Sequence, residues 1–434
     1  MVTTIDPDAH TKLILRDVRL LEADGAFDVA MDAGLISAVG PVGSLDSHAA
    51  DEVDAEGRLC TAAFVDGHVH LDKSYLSELP GFAGKVGAEF FDELAKFKAS
   101  TGPEGGPATV MDRMRRAAHN VILNGTGTLR AQIDVDPIVG LAHLDAALAL
   151  REELAPLLRL QIVVFPQEGL VGNPAAAELV EEALHRGADV MGGAHGFDRS
   201  ATSTDHYEAC FELAARHDVD IDLHLDFDAT PEWPLETWDI WQVARLTRER
   251  GWQGRVTVAH LTQHGQLDPA GREALAALLV DNNIALTVVP GAELHGARFW
   301  TEVPLDDVGA ATAGYGELVE RGVQLSYAGG HLADAFNPFG DGDLLRDGLL
   351  LSAARNLGDP CVGGCHILTL GTTTPAAAAG LPGPHGIVPG ALADCVVFDA
   401  SDADTAVRHQ ADRWLVIHHG RPVATTRTTK ELLS

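Results

Sequence analysis

Two kinds of hydrophobic pattern divide the chain. Over residues 12–60 apolar and polar positions alternate in short runs, KLILRDVRLLE, FDVAMDAGLISAVG and GRLCTAAF, broken by Gly and Asp. That is the pattern of strands in a small sheet. The end of the chain behaves the same way, with ADCVVFDA, RWLVIHHG and RPVATTR following a Gly/Pro-rich passage around 380–390. Between these ends a strand-like apolar run followed by an Ala- and Leu-rich helical segment recurs roughly every 30–40 residues, the spacing of βα units. The expected strands are 60–66, 127–134, 158–165, 189–194, 220–225, 255–260, 284–289 and 323–327. Eight of them predict an α/β fold of the (β/α)8, TIM-like type, with its chemistry at the C-terminal ends of the strands.

Polar residues stand at those ends. His68 and His70 follow the first strand, Gln167 the third and His195 the fourth; His224 lies on the fifth, His260 on the sixth, and His331 comes shortly after the eighth. A single histidine in such a place is more often a packing residue than a ligand, but independent strands here point to one face. His68 and His70 alternate along a strand, so both project to the same side, where one divalent ion takes a nitrogen from each. His224 adds a third from across the barrel.

Composition narrows the partners. A formal charge of −32 repels a phosphate backbone and an anionic membrane alike, which leaves a small-molecule substrate and excludes nucleic acid and membrane as partners. Five cysteines, sparse and irregular, do not make a disulfide framework. With no basic-then-apolar leader and no long apolar stretch, the expected location is cytoplasmic. The length of 434 residues exceeds what one core usually supports, so a large domain with an appendage is expected.

Taken in order, GHVHLDK at 67–73, IVVFPQEG at 162–169, LHLD at 223–226, GRVTVAH at 254–260, DAFNPFG at 334–340 and PGALADCVVFDA at 389–400 resemble the amidohydrolase superfamily. The resemblance is to its cytosine deaminase-like branch, which includes the triazine aminohydrolases, and it covers nearly the whole chain. It implies a barrel over 60–375 and a small β-sandwich formed by 1–59 and 376–434. It also implies one divalent metal, zinc or iron, on His68, His70 and His224, with His260 polarising the target carbon and Gln167 bonding a ring amide. Lys73 belongs to the branch's usual motif and is counted with the substrate-binding residues. A homo-oligomer is allowed, since a large acidic surface does not forbid one.

Three positions depart from the branch's pattern. Phe227 stands where the proton-shuttling Glu is expected, Gly330 where the metal-binding Asp is expected, and Gln132 where relatives commonly carry a histidine. Because a positioned acid or base contributes about 10²–10⁴-fold, ordinary cytosine deamination is disfavoured. His331 offers a repair, as fourth ligand or as a neutral base; the other reading makes it a turn cap. Asp226 shares the His224 face by strand alternation and is the second candidate for proton transfer. Phe227 can stack on a planar ligand. The leading expectation is hydrolysis of a C–N bond in a small cyclic or amidine-like compound by metal-activated water. The alternatives are a non-hydrolytic lyase, isomerase or rearrangement enzyme, with or without metal, and a non-catalytic ligand-binding relative.

Overall fold

The computed structural model describes residues 12–433 except 22, 47–49, 83, 84, 86, 102–106, 199, 200, 227–232, 297–313 and 356–362. Four strands open the chain: β1 (Lys12–Leu20), β2 (Ala23–Asp32), β3 (Leu35–Pro41) and β4 (Ala50–Ala62). Eight more follow, β5 (Phe64–Val69), β6 (Thr126–Asp134), β7 (Arg159–Phe165), β8 (Val190–Gly193), β9 (Asp220–Leu225), β10 (Val256–His260), β11 (Ile284–Val288) and β12 (Leu325–Tyr327). Three close the chain: β13 (Cys395–Phe398), β14 (Arg413–His418) and β15 (Arg421–Ala424).

The terminal strands form one sheet in the order β15-β14-β13-β4-β1-β2-β3. Its two ends of sequence meet where β4 and β13 run antiparallel, Cys60 opposite Val397 and Ala62 opposite Cys395. Apolar side chains from both ends, Leu13, Leu15, Val29 and Met31 with Cys395, Val397, Leu415 and Ile417, fill its own buried cluster. The expected first barrel strand at 60–66 is divided: 60–62 complete β4 of this sheet, Ala63 breaks the run, and the barrel begins at Phe64.

Strands β5 to β12 form a parallel sheet in sequence order, the ladder of a (β/α)8 barrel. Local sequence fixes several of the crossover helices. Asn173, Thr202 and Asp268 each cap a helix, accepting from Ala176 N, Asp205 N and Gly271 N, and Pro174 and Pro269 occupy first helical positions where the missing N–H costs nothing. The seam between β5 and β12 is closed by few bonds. Gly330 N donates to His68 O at 3.0 Å, His70 N donates to Gly330 O at 2.8 Å, and Gly329 N donates to Asp66 Oδ1 at 3.1 Å. The last closing contacts therefore lie on the histidine-bearing segment. Among the described residues no helix is long and apolar enough to cross a membrane.

The helix Ser203–His217 is held against β8 by a charged contact. Gly193 carries no Cβ there; one would come 2.9 Å from Cys210 Sγ and 3.0 Å from His206 Nε2. His206 Nδ1 sits 2.9 Å from Asp198 Oδ2, which also accepts the N–H groups of Leu170 and Val171. Burial works against charging the imidazole, but the Cys210 sulfur and the Asp198 carboxylate outweigh it and push its pKa up to about 10. A folded-state pKa raised above the unfolded value of about 6.5 stabilises fully below that pH, and the benefit disappears as pH rises to the folded value. The wild-type unfolding temperature should thus fall between pH 6.5 and 10 by several degrees more than that of His206→Gln, measured by calorimetry. Parallel declines in the two proteins would contradict an ion-paired His206.

Candidate metal centre at the barrel mouth

His68 lies within β5 and His70 just past its end, so strand alternation sends both rings into the mouth; His224 reaches the same point from β9. His68 Nε2 and His70 Nε2 lie 3.1 Å and 3.0 Å from His224 Nε2. One nitrogen from each of the three residues falls within 4.8 Å of the others, and all three side chains are buried. Nitrogens bound to one zinc at about 2.0–2.1 Å in tetrahedral array stand about 3.3 Å apart, so this set fits a divalent ion with only small adjustment. Burial, and after it the neighbouring Lys73 and His68 charges respectively, hold His70 and His224 well below the ordinary imidazole pKa. Both are neutral lone-pair donors at working pH, as ligation requires.

Two further histidines complete the cluster. The His260 ring centre is 5.5 Å from that of His68 and 5.2 Å from that of His224. It sits at φ +80°, followed by Leu261 at +49°, so two side-chain-bearing residues in succession occupy the left-handed region at the end of β10. Strain of this kind is characteristic of functional sites. His331 stacks on His70 with ring centres 4.7 Å apart and 18° between planes, and its Nδ1 is 2.6 Å from Asp334 Oδ2. The other Asp334 oxygen accepts the N–H groups of Phe336 and Asn337, which fixes the carboxylate and through it the ring. Gly330 has φ +65°, and a Cβ there would collide with Val289 Cγ1. A side chain at that position would require Val289 to shift, so restoring an Asp would disturb the packing behind the seam.

The remaining expected site residues divide. Gln167 is buried beside β7, and its Oε1 has no hydrogen-bond partner among the described residues. Phe165, two residues earlier, stacks on His224 at 4.5 Å and 29°. Lys73 Nζ is bound to Asp134 Oδ1 at 2.7 Å and lies 3.3 Å from His70 Nδ1, so it backs a ring of the cluster. Asp226 is placed differently from the sequence expectation: its two oxygens accept the N–H groups of Asp239 and Ile240 at 2.8 and 3.0 Å. It caps the helix Asp239–Glu249, because β9 ends at Leu225 and Asp226 itself turns to φ +48°, which breaks the alternation. His195 joins Asp239 Oδ2 at 3.2 Å and Ala201 O at 3.3 Å, a tie between two helix starts. Phe227 lies outside the described residues.

Sequence reasoning missed three members of the cluster's surroundings: Asp222, whose Oδ1 is 3.3 Å from His68 Nδ1; Arg130, which meets the same carboxylate; and Asp334. Period-two alternation read backward along β9 from His224 would have found the first.

The chain matches the model of the amidohydrolase family over residues 91–424. It is 28% identical over 421 residues to the N-isopropylammelide isopropyl amidohydrolase of Pseudomonas sp. (strain ADP), covering 94% of this chain and 96% of that protein. The crystal structure of 5-methylcytosine deaminase from Klebsiella pneumoniae with 5-fluorocytosine superposes with a TM-score of 0.84 at 26% identity, covering 97% of this chain and 99% of that one. N-isopropylammelide isopropylaminohydrolase from Burkholderia multivorans gives 0.81 at 27% identity, covering 96% and 98%. The imidazole cluster at the mouth of a parallel barrel and the extent of these matches agree, and the chain belongs to the amidohydrolase family, in its cytosine deaminase-like branch.

Proposed function

We propose that this protein hydrolyses a C–N bond in a small cyclic or amidine-like compound, with one divalent ion, zinc or iron, held by His68, His70 and His224. The observation that carries the proposal is the convergence of three buried imidazole nitrogens within 4.8 Å at the barrel mouth. The names of the relatives, a deaminase of 5-methylcytosine and an isopropyl amidohydrolase of N-isopropylammelide, support an exocyclic amino group on a nitrogen ring as the bond cleaved. Bound in the cluster, the ion supplies a Lewis acid that brings water's ionisation down to near neutral pH.

The chain's own residues account for the rest. His331 takes the proton that leaves the attacking water and returns it to the amine nitrogen as the C–N bond breaks; its Nδ1 is committed to Asp334, which orients the ring. His331 therefore does what Asp226, occupied at a helix end, is not placed to do. His260, on strained backbone opposite His224, donates to the oxygen or nitrogen of the substrate as charge develops there. The unpartnered Oε1 of Gln167 accepts from a ring N–H, and burying that oxygen without a substrate is costly enough to favour ligands that carry one. Phe165 packs on His224 and excludes water from the rings.

Purified full-length protein should hold close to one equivalent of zinc or iron by elemental analysis, and His68→Ala should hold well under a tenth of that. Incubation with N-isopropylammelide, 5-methylcytosine and cytosine, with released amine or ammonia measured, tests the reaction class. Metal-free protein that turns over these compounds as fast as the loaded form would contradict the proposal.

His331→Ala should retain its metal while kcat falls by about 10²–10⁴-fold, the usual worth of a positioned base. Loss of the ion on that substitution would make His331 a ligand and not a base.

A further inference from the structure

The barrel interior one layer below the imidazoles is charged. Barrels of this kind are ordinarily filled there by branched apolar side chains. Here Arg130 on β6 meets Asp222 on β9, NH1 to Oδ2 at 3.3 Å, both essentially without exposure. Arg130 is held further by Gln161 Oε1 at 3.0 Å and Thr257 Oγ1 at 3.4 Å. Desolvation largely offsets the attraction within a buried ion pair, so stability alone is a weak reason for placing one in a core.

The second oxygen of Asp222 supplies a better reason. Oδ1 lies 3.3 Å from His68 Nδ1 and accepts from Gln132 Nε2 at 3.1 Å. Gln132 Nε2 also lies 3.2 Å from His68 Nδ1, so the amide and the ring nitrogen meet at the same carboxylate oxygen. Turning the Gln132 amide over would set its carbonyl oxygen against the carboxylate, so the network assigns Nε2 to that side. An imidazole that donates Nδ1–H keeps its lone pair on Nε2, and His68 Nε2 is the atom that faces His224 Nε2. The other two rings have no such support: His70 Nδ1 faces the Lys73 ammonium at 3.3 Å, and His224 Nδ1 has no hydrogen-bond partner among the described residues.

We propose that Asp222 is a positioning residue of the metal centre. It fixes His68 as the Nδ1–H tautomer and sets a carboxylate one atom layer behind the three-imidazole set. Arg130 anchors the carboxylate, and Gln132 occupies the lone pair that His68 leaves. This role, which no sequence motif marks, rests on the proposed metal centre, and it explains how the site holds a divalent cation although Gly330 offers no carboxylate.

Zinc affinity of the full chain, measured by competition with a chromophoric chelator, tests it. Asp222→Asn, which keeps the shape and loses the charge, should weaken zinc binding roughly 10- to 100-fold, the usual effect of removing a partner behind a ligand. The unfolding temperature of the metal-free protein should change far less. In a His68→Ala background the same substitution should alter zinc affinity less than two-fold, because Asp222 acts through that ring. Wild-type affinity in folded Asp222→Asn, or an undiminished effect in the His68→Ala background, overturns the assignment. A wild-type protein that binds no zinc or iron overturns the metal centre itself, a distinct failure. Should Asp222→Asn not fold, nitrogen-15 NMR of labelled histidines in the wild type decides: the signals lost in His68→Ala must report Nδ1–H, and an Nε2–H tautomer overturns the proposal.

Discussion

Closure of the parallel ladder through Gly330 sets the distance between the imidazole nitrogens, and the chemistry at the mouth depends on that distance. β5 and β12 share few bonds, and those few bracket His68 and His70. The left-handed φ of Gly330 and its lack of a Cβ let the last strand approach the first while Val289 fills the space behind. A residue with a side chain at 330 would push the seam apart by moving Val289 or the strand. The residue that offers no metal ligand thus also makes the closing backbone bonds beside His68 and His70.

Charge follows from this geometry. Imidazoles crowd the centre, while carboxylates stand one step back: Asp334 behind His331, and Asp222 behind His68. Both acidic groups therefore contact the cluster through a histidine ring. On the function proposed above, that arrangement leaves proton transfer to an imidazole, the side chain whose ordinary titration range lies nearest neutrality.

Much of the barrel is legible in the sequence because its strands are short apolar runs of suitable length between amphipathic helices, and most of the expected boundaries fall within two residues of those observed. The first strand is misread because apolar residues continue from β4 through Ala63 into β5, and nothing in the residue pattern marks the change of sheet. The imidazoles are legible because they alternate on strands. Asp226 is not, since one residue past the end of β9 its backbone turns left-handed and breaks the alternation, whereas His70, likewise one past the end of β5, keeps a negative φ. The partners Arg130 and Asp334 depend on contacts 92 and 3 residues away in sequence, the first of which no local pattern encodes. Likewise the collision that forbids a side chain at 330 comes from β11's successor Val289 and exists only after folding.

The most direct measurement is anomalous scattering from a crystal of the protein as purified, with data collected on either side of the zinc and iron edges. A metal centre built on these three rings gives a single strong peak about 2 Å from Nε2 of His68, His70 and His224. Absence of a peak there, with the three rings turned away from one another, would contradict it.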